Sequence, residues 1–371
     1  MVGAGLSGLA AGHLLQSAKR DFVLLEARQR IGGRAFTLDS TSESPATCDL
    51  GPSWIWPCQP TVADAIRHFG LQTFPQYSDG QLVFQTVDGS VSMLDQPSPM
   101  SGALRIVGGV GRLATCLSEE ISPERIRLGH VLKSIHLESQ LVVAICQTGD
   151  KLVEFKADRL ALAIPARLTS ELEWSPQLPE SAIRTLKATP TWMAGHAKFF
   201  ATFKSPYWRV NGLCGTASSQ CGPLTEIHDA SPLSGKRGVL FGFVGLDPVT
   251  RLVWGKERIV DAALRQLQQI FGPDEVAESV HFLDWSLEPY TSNDSDRAPQ
   301  TRHPNYGQKV DVGSVWRDKL NFIVSEFSPQ GGGLIEGALY NGREFASIVL
   351  EQDSTLQSDS THVASMGWDW L

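Results

Sequence analysis

Apolar residues fall into short runs whose spacing switches between helix-like and strand-like along the chain. Leu6, Leu9, Ala10, Leu14 and Leu15 recur at helical spacing directly after Val2-Gly3-Ala4-Gly5, which predicts a helix opening on a glycine turn. Phe22-Val23-Leu24-Leu25 is a continuous apolar run that ends in Glu26 and reads as a buried strand. Residues 62–68 form an amphipathic segment, 131–135, 141–146 and 152–155 read as a strand meander, and 158–165 as a buried strand. Residues 196–203 alternate, 239–244 are an apolar run, and 259–270 predict a helix. After Gly331-Gly332-Gly333, the positions Ile335, Leu339, Ala346, Ile348 and Val349 resume helical spacing, so the glycines start a helix and are not a linker.

The first strand–turn–helix unit carries chemistry. Gly3, Gly5 and Gly8, with Leu6 and Ser7 between them, form a G-x-G-x-x-G turn; Gly5 lets backbone N–H groups approach a pyrophosphate and Gly8 lets the helix pack on the sheet. The helix N-terminus then faces the phosphates. Glu26 lies eighteen residues past Gly8, where an acid accepts hydrogen bonds from a ribose diol. A bound dinucleotide is therefore expected.

The segments around and beyond Glu26 narrow the class of dinucleotide. Gly3-Ala4-Gly5-Leu6-Ser7-Gly8-Leu9, then Leu24-Leu25-Glu26-Ala27-Arg28, then Gly32-Gly33-Arg34 resembles the FAD-binding start of the flavin amine oxidase superfamily, which includes monoamine oxidases, polyamine oxidases and L-amino-acid oxidases. The resemblance implies that Glu26, Ala27 and Arg28 flank the adenosine and that Gly33 and Arg34 run under the pyrophosphate, a role that suits a bidentate guanidinium. Asp49-Leu50-Gly51-Pro52-Ser53-Trp54 is similar to the stretch that passes beside the flavin, and Val131 falls where the backbone holds adenine. Ser325-Glu326-Phe327, followed by Gly333-Leu334-Ile335-Glu336-Gly337-Ala338, resembles the closing signature. Its helix N-terminus is expected at the pyrimidine end of the isoalloxazine, where a dipole stabilises negative charge.

Composition narrows the partners. A net charge of -8 argues against nucleic acid, and no apolar stretch is long enough to span a bilayer, so no membrane anchor is expected. The six cysteines show no metal-ligand spacing, no metal is expected, and the chain reads as a cytoplasmic protein. Cys221 is the last cysteine, so none lies where monoamine oxidases attach the flavin, and the FAD is expected to be noncovalent.

The fold class implied is α/β. An FAD-binding, Rossmann-like parallel sheet of the glutathione-reductase type (1–60, 105–165 and 311–352) is interleaved with a substrate domain on a mixed or antiparallel sheet plus helices (61–104 and 166–310), and 353–371 form a tail. A Rossmann strand has about five residues before its first glycine. Only Met1 and Val2 precede Gly3, which predicts either a start inside a longer chain or a stunted strand with weakened FAD affinity.

The resemblance makes Lys198 the catalytic candidate, as the lysine that holds a water at flavin N5; the bland reading is a surface lysine sharing with His196 the polar face of an alternating strand. Trp54, Trp56, Trp192 and Tyr290 are candidates for an aromatic substrate cavity. Leu334 stands where monoamine oxidases carry an aromatic residue, which puts a neurotransmitter-type amine in doubt. Glu226 and Asp229 are candidates for binding a cationic amine, with His228 as proton acceptor; a solvated strand end is the competing reading. The leading functional expectation is oxidation of a small-molecule amine with O2 as acceptor and H2O2 released. Beside it stand a flavin dehydrogenase or desaturase acting on C–C bonds, and an FAD-poor binding protein without turnover.

Overall fold

The computed structural model describes residues 1–39, 47–272, 275–298 and 302–358. Its nucleotide-binding layer is parallel. Leu24–Leu25 pairs with Ile126–Arg127, Leu160–Leu162 pairs with Leu320–Phe322, and Val2 bridges both Leu25 and Leu162. The first strand is thus one bridging residue, held by the Val2 N–H to Ala161 O (2.9 Å) and the Gly3 N–H to Leu25 O (2.7 Å). Leu24, Leu25, Leu160, Ala161 and Leu162 are all buried, as expected of parallel strands covered on both faces. Helix Leu6–Ser17 leaves this layer at Gly8, where a Cβ would meet Gly3 O at 2.0 Å; only glycine permits so close a helix–strand approach.

The meander forms as strands Val131–Glu138, Leu141–Thr148 and Lys151–Ala157, longer than the apolar runs because antiparallel pairing carries polar residues along; Glu173–Ser175 joins Val131–Glu138 in parallel. A seven-stranded sheet runs in the order Ser279–Asp284, Ala197–Phe203, Gly238–Val244, Leu224–Asp229, Leu213–Ser219, Gln81–Gln85, Val91–Leu94. Helix Lys256–Phe271 packs on one face through Ile259, Ala263, Leu267 and Ile270, against Ala197, Phe199, Ala201 and Phe203. The opposite face presents Phe200 to Cys48 and Leu50. Every residue of Ala197–Phe203 is buried. The expected polar face of this strand is therefore no surface, because the segment around residue 50 covers it.

Helix Ile335–Ser358 continues past the expected boundary at 352, and residues 359–371 of the expected tail lie outside the described residues. All six cysteines are free. No described helix is long and apolar enough to cross a membrane.

Candidate active site

A cleft of about 1070 Å³ runs from the nucleotide-binding layer to the seven-stranded sheet. The glycine turn (Gly3, Gly5, Leu6, Ser7), the strand end (Glu26, Ala27, Arg28), Gly33 with Arg34, and Val131 line one part of it. Gly51, Pro52, Ser53, Trp54 and Lys198 line its middle, together with Gly333, Leu334 and Ile335. Segments far apart in sequence thus meet around one space. Gly8 does not line the cleft; its part is the helix–strand contact.

Glu26 is buried, and its Oε2 accepts the Ala4 N–H (2.8 Å) while Oε1 accepts the Arg28 N–H (2.9 Å). Each oxygen keeps lone-pair capacity toward the cleft. Arg28 also donates to Glu288 Oε2 (3.1 Å) and Thr291 Oγ1 (2.8 Å) and lies over the Tyr290 ring, tying the strand end to a distant loop.

Arg34 lines the cleft, and its guanidinium is engaged bidentately by Glu326 (2.5 and 3.0 Å) and also donates to Ser325 Oγ (3.1 Å), so three of its five N–H groups have protein acceptors. Glu326 is buried behind Arg34 and does not line the cleft; it positions Arg34. Burial pushes the Glu326 carboxyl up, but Arg34 and Ser325 outweigh it and hold it below the usual range.

Lys198 is 5% exposed, which removes the surface-lysine reading. Its Nζ donates to Gly51 O (2.6 Å), Ser53 Oγ (2.9 Å) and Asp49 O (3.2 Å), and lies 4.6 Å from the centre of the Phe241 ring. Burial lowers its pKa to about 7, with Arg105 acting in the same direction and Asp49 opposing. The neutral amine also fits here, since Ser53 can turn its hydroxyl and donate.

On the substrate side, Trp54, Trp56, Trp192 and Tyr290 all line the cleft, and Leu334 faces it. His228 does not. It has no exposed side-chain surface, its Nε2 donates to Glu226 Oε1 (2.6 Å), and its ring packs edge-on against Trp54 at 4.9 Å. Residues i and i+2 of strand Leu224–Asp229 share a face, with His228 in the interior and Glu226, 46% exposed at its side chain, at the cleft. The hydrogen bond from His228 holds the Glu226 carboxyl below its usual range. Asp229 is committed to Arg209 (2.8 and 2.9 Å) and Trp208 Nε1 (2.8 Å).

Residues 6–105 and 82–350 match the family model described as flavin containing amine oxidoreductase. The chain belongs to the flavin-containing amine oxidoreductase family. It is similar to flavin-containing amine oxidase B of Mus musculus, 23% identical over 97% of this chain and 87% of that protein. Putrescine oxidase of Kocuria rosea is 20% identical, over 94% of each chain. Among solved structures, putrescine oxidase bound to putrescine has a TM-score of 0.75 at 19% identity, covering 94% of this chain and 98% of that one. Cyclohexylamine oxidase from Brevibacterium oxydans has a TM-score of 0.77 at 18% identity, covering 95% and 98%. These structures share the fold.

The protein is an FAD-dependent oxidoreductase, and the residues present fit that cofactor. A Cβ on Gly5 would meet no atom within 4 Å and would project into open cleft, which leaves the turn's N–H groups approachable by a pyrophosphate. Glu336, the acid of the closing signature, accepts from the Thr61 and Val62 N–H groups (both 3.0 Å), capping helix Pro60–His68. Arg251, which had no sequence signal of its own, lines the cleft while held by Asp284 (2.6 and 2.8 Å). Among the described residues lining the cleft there is no cysteine. Acid precipitation should therefore leave all the yellow colour in the supernatant; flavin retained in the pellet would disprove noncovalent binding.

Proposed function

We propose that this protein oxidises the C–N bond of an amine that carries a second cationic group, with hydride transfer to flavin N5, O2 as acceptor and release of H2O2. FAD, when bound, supplies the two-electron acceptor. The chain's own residues bind, orient and exclude water. Trp54, Trp56, Trp192 and Tyr290 offer faces to an alkylamine, and Leu334 leaves room where a second aromatic wall would stand.

The observation that carries the reading is a pair of opposite charges lining the cleft from one face of the seven-stranded sheet: the buried Lys198 and the half-exposed Glu226, each in register with Phe243 on the strand between them. All three Lys198 N–H bonds have protein acceptors, so its main contribution is positive charge fixed beside the reaction space. A water at N5 is held only by replacing the longest contact, that to Asp49 O. Glu226, kept ionised by His228, suits the far ammonium of a diamine. The similarity to putrescine oxidase supports this substrate class.

Purified yellow protein given paired substrates, a diamine and the monoamine of equal length, should release peroxide faster with the diamine. Glu226→Gln should lower kcat/KM for the diamine by about tenfold, the worth of one charge-assisted contact, and leave the monoamine nearly unchanged. Flavin reduction without peroxide would point to a dehydrogenase. Equal losses on both substrates would remove Glu226 from recognition.

A further inference from the structure

Away from the cleft, three side chains from three helical segments converge. His13 lies late in Leu6–Ser17, His68 is the last residue of Pro60–His68, and Glu120 caps the C-terminal end of Gly111–Glu119. Two imidazole nitrogens and a carboxylate oxygen of these residues lie within 4.8 Å of one another. His13 Nδ1 is 3.1 Å from Glu120 Oε2, and His68 Nε2 is 3.8 Å from Glu120 Oε1. Among the described residues this is the one such group of three.

The spacing is that of a shared ligand. Donors bound to one tetrahedral cation at about 2.0–2.1 Å lie roughly 3.3 Å apart, and the half-exposed His68 and Glu120 can close the remaining gap by rotation. The field is right as well. His68 and Glu120 both stand at helix C-termini, the negative ends of their dipoles, and Glu120 adds a full charge. His13 is buried, so its imidazole is held in place against the two partly exposed partners. Phe69 packs edge-on against both rings, at 5.8 and 4.7 Å, and orients them.

We propose that His13, His68 and Glu120 form a binding site for one divalent transition cation of the zinc class, with an open fourth position. The expectation of no metal rests on the cysteines; positions 13, 68 and 120 share no motif spacing, and the fold alone brings them together. Bound there, the cation links three helical segments, so it should raise Tm without altering the flavin spectrum.

The test uses untagged, chelator-treated holoprotein. Titration with Zn2+ against a chromophoric chelator should show one equivalent per chain, with Tm rising as it binds. His68→Gln and Glu120→Gln, both at partly exposed positions, should keep the flavin absorbance and the metal-free Tm yet bind Zn2+ at least about tenfold more weakly, the lower end of what losing even an outer-shell partner costs. Cu2+ bound to the unmutated protein should give an electron paramagnetic resonance spectrum with two imidazole nitrogens. No stoichiometric Zn2+, affinity unchanged in either variant, or a Cu2+ spectrum without imidazole nitrogen would each overturn the assignment. The last readout decides the matter even if the variants do not fold.

Discussion

Lys198→Met should keep fold and FAD yet slow reoxidation of the reduced flavin by O2 at least about tenfold. Met fills similar volume without charge, and about 1.4 kcal/mol is a modest demand on a cation beside developing superoxide. The substitution removes a donor from the Gly51 and Asp49 carbonyls and from Ser53 Oγ, so some loss of Tm should accompany it. The pH dependence has a definite sign. The pKa is depressed to about 7, so the positive charge is present below that value and lost as pH rises through it. Reoxidation by the unmutated protein should accordingly slow between about pH 6 and 8, and the variant should be slow and flat. Stopped-flow traces of the two half-reactions separate this from an effect on flavin reduction. Unchanged reoxidation at every pH would remove Lys198 from the chemistry.

The second large effect is expected at Glu26. Glu26→Ala removes the acceptor for the ribose diol and also leaves the Ala4 and Arg28 N–H groups without partners. Hydrogen bonds to a charged group are worth about 1.5–3 kcal/mol, so FAD affinity should fall by roughly 10–150-fold. Holoprotein should be recovered poorly after gel filtration, read as the ratio of flavin to protein absorbance. The fraction that keeps FAD should turn over normally. Undiminished occupancy would mean that the nucleotide is held elsewhere.

Both residues illustrate how unevenly the site was legible. Glu26 acts within a local unit, where a glycine turn, a helix and a strand end sit within one short stretch of chain, and backbone constraints write themselves into residue type there. Lys198 could be picked out only by resemblance. Its alternating strand pattern read equally well as a solvated face, because period-two spacing says which residues share a side but not what covers it. His228 failed for the same reason: the pattern placed it with Glu226, while the depth of each along the strand depended on Trp54 and Phe241 packing over one end.

By itself the sequence determined the local elements and the cofactor class. The opening helix, the meander, the closing helix and the glycine turns follow from short-range periodicity and from backbone conformations that few residues tolerate. Tertiary structure alone decided which polar groups are spent on one another. Arg34 meets Glu326 across 292 residues, Lys198 meets Gly51 across 147, and Glu336 caps a helix 275 residues away. Such pairings require burial to give them strength and chain topology to bring them together, and neither leaves a mark on the residues flanking either partner.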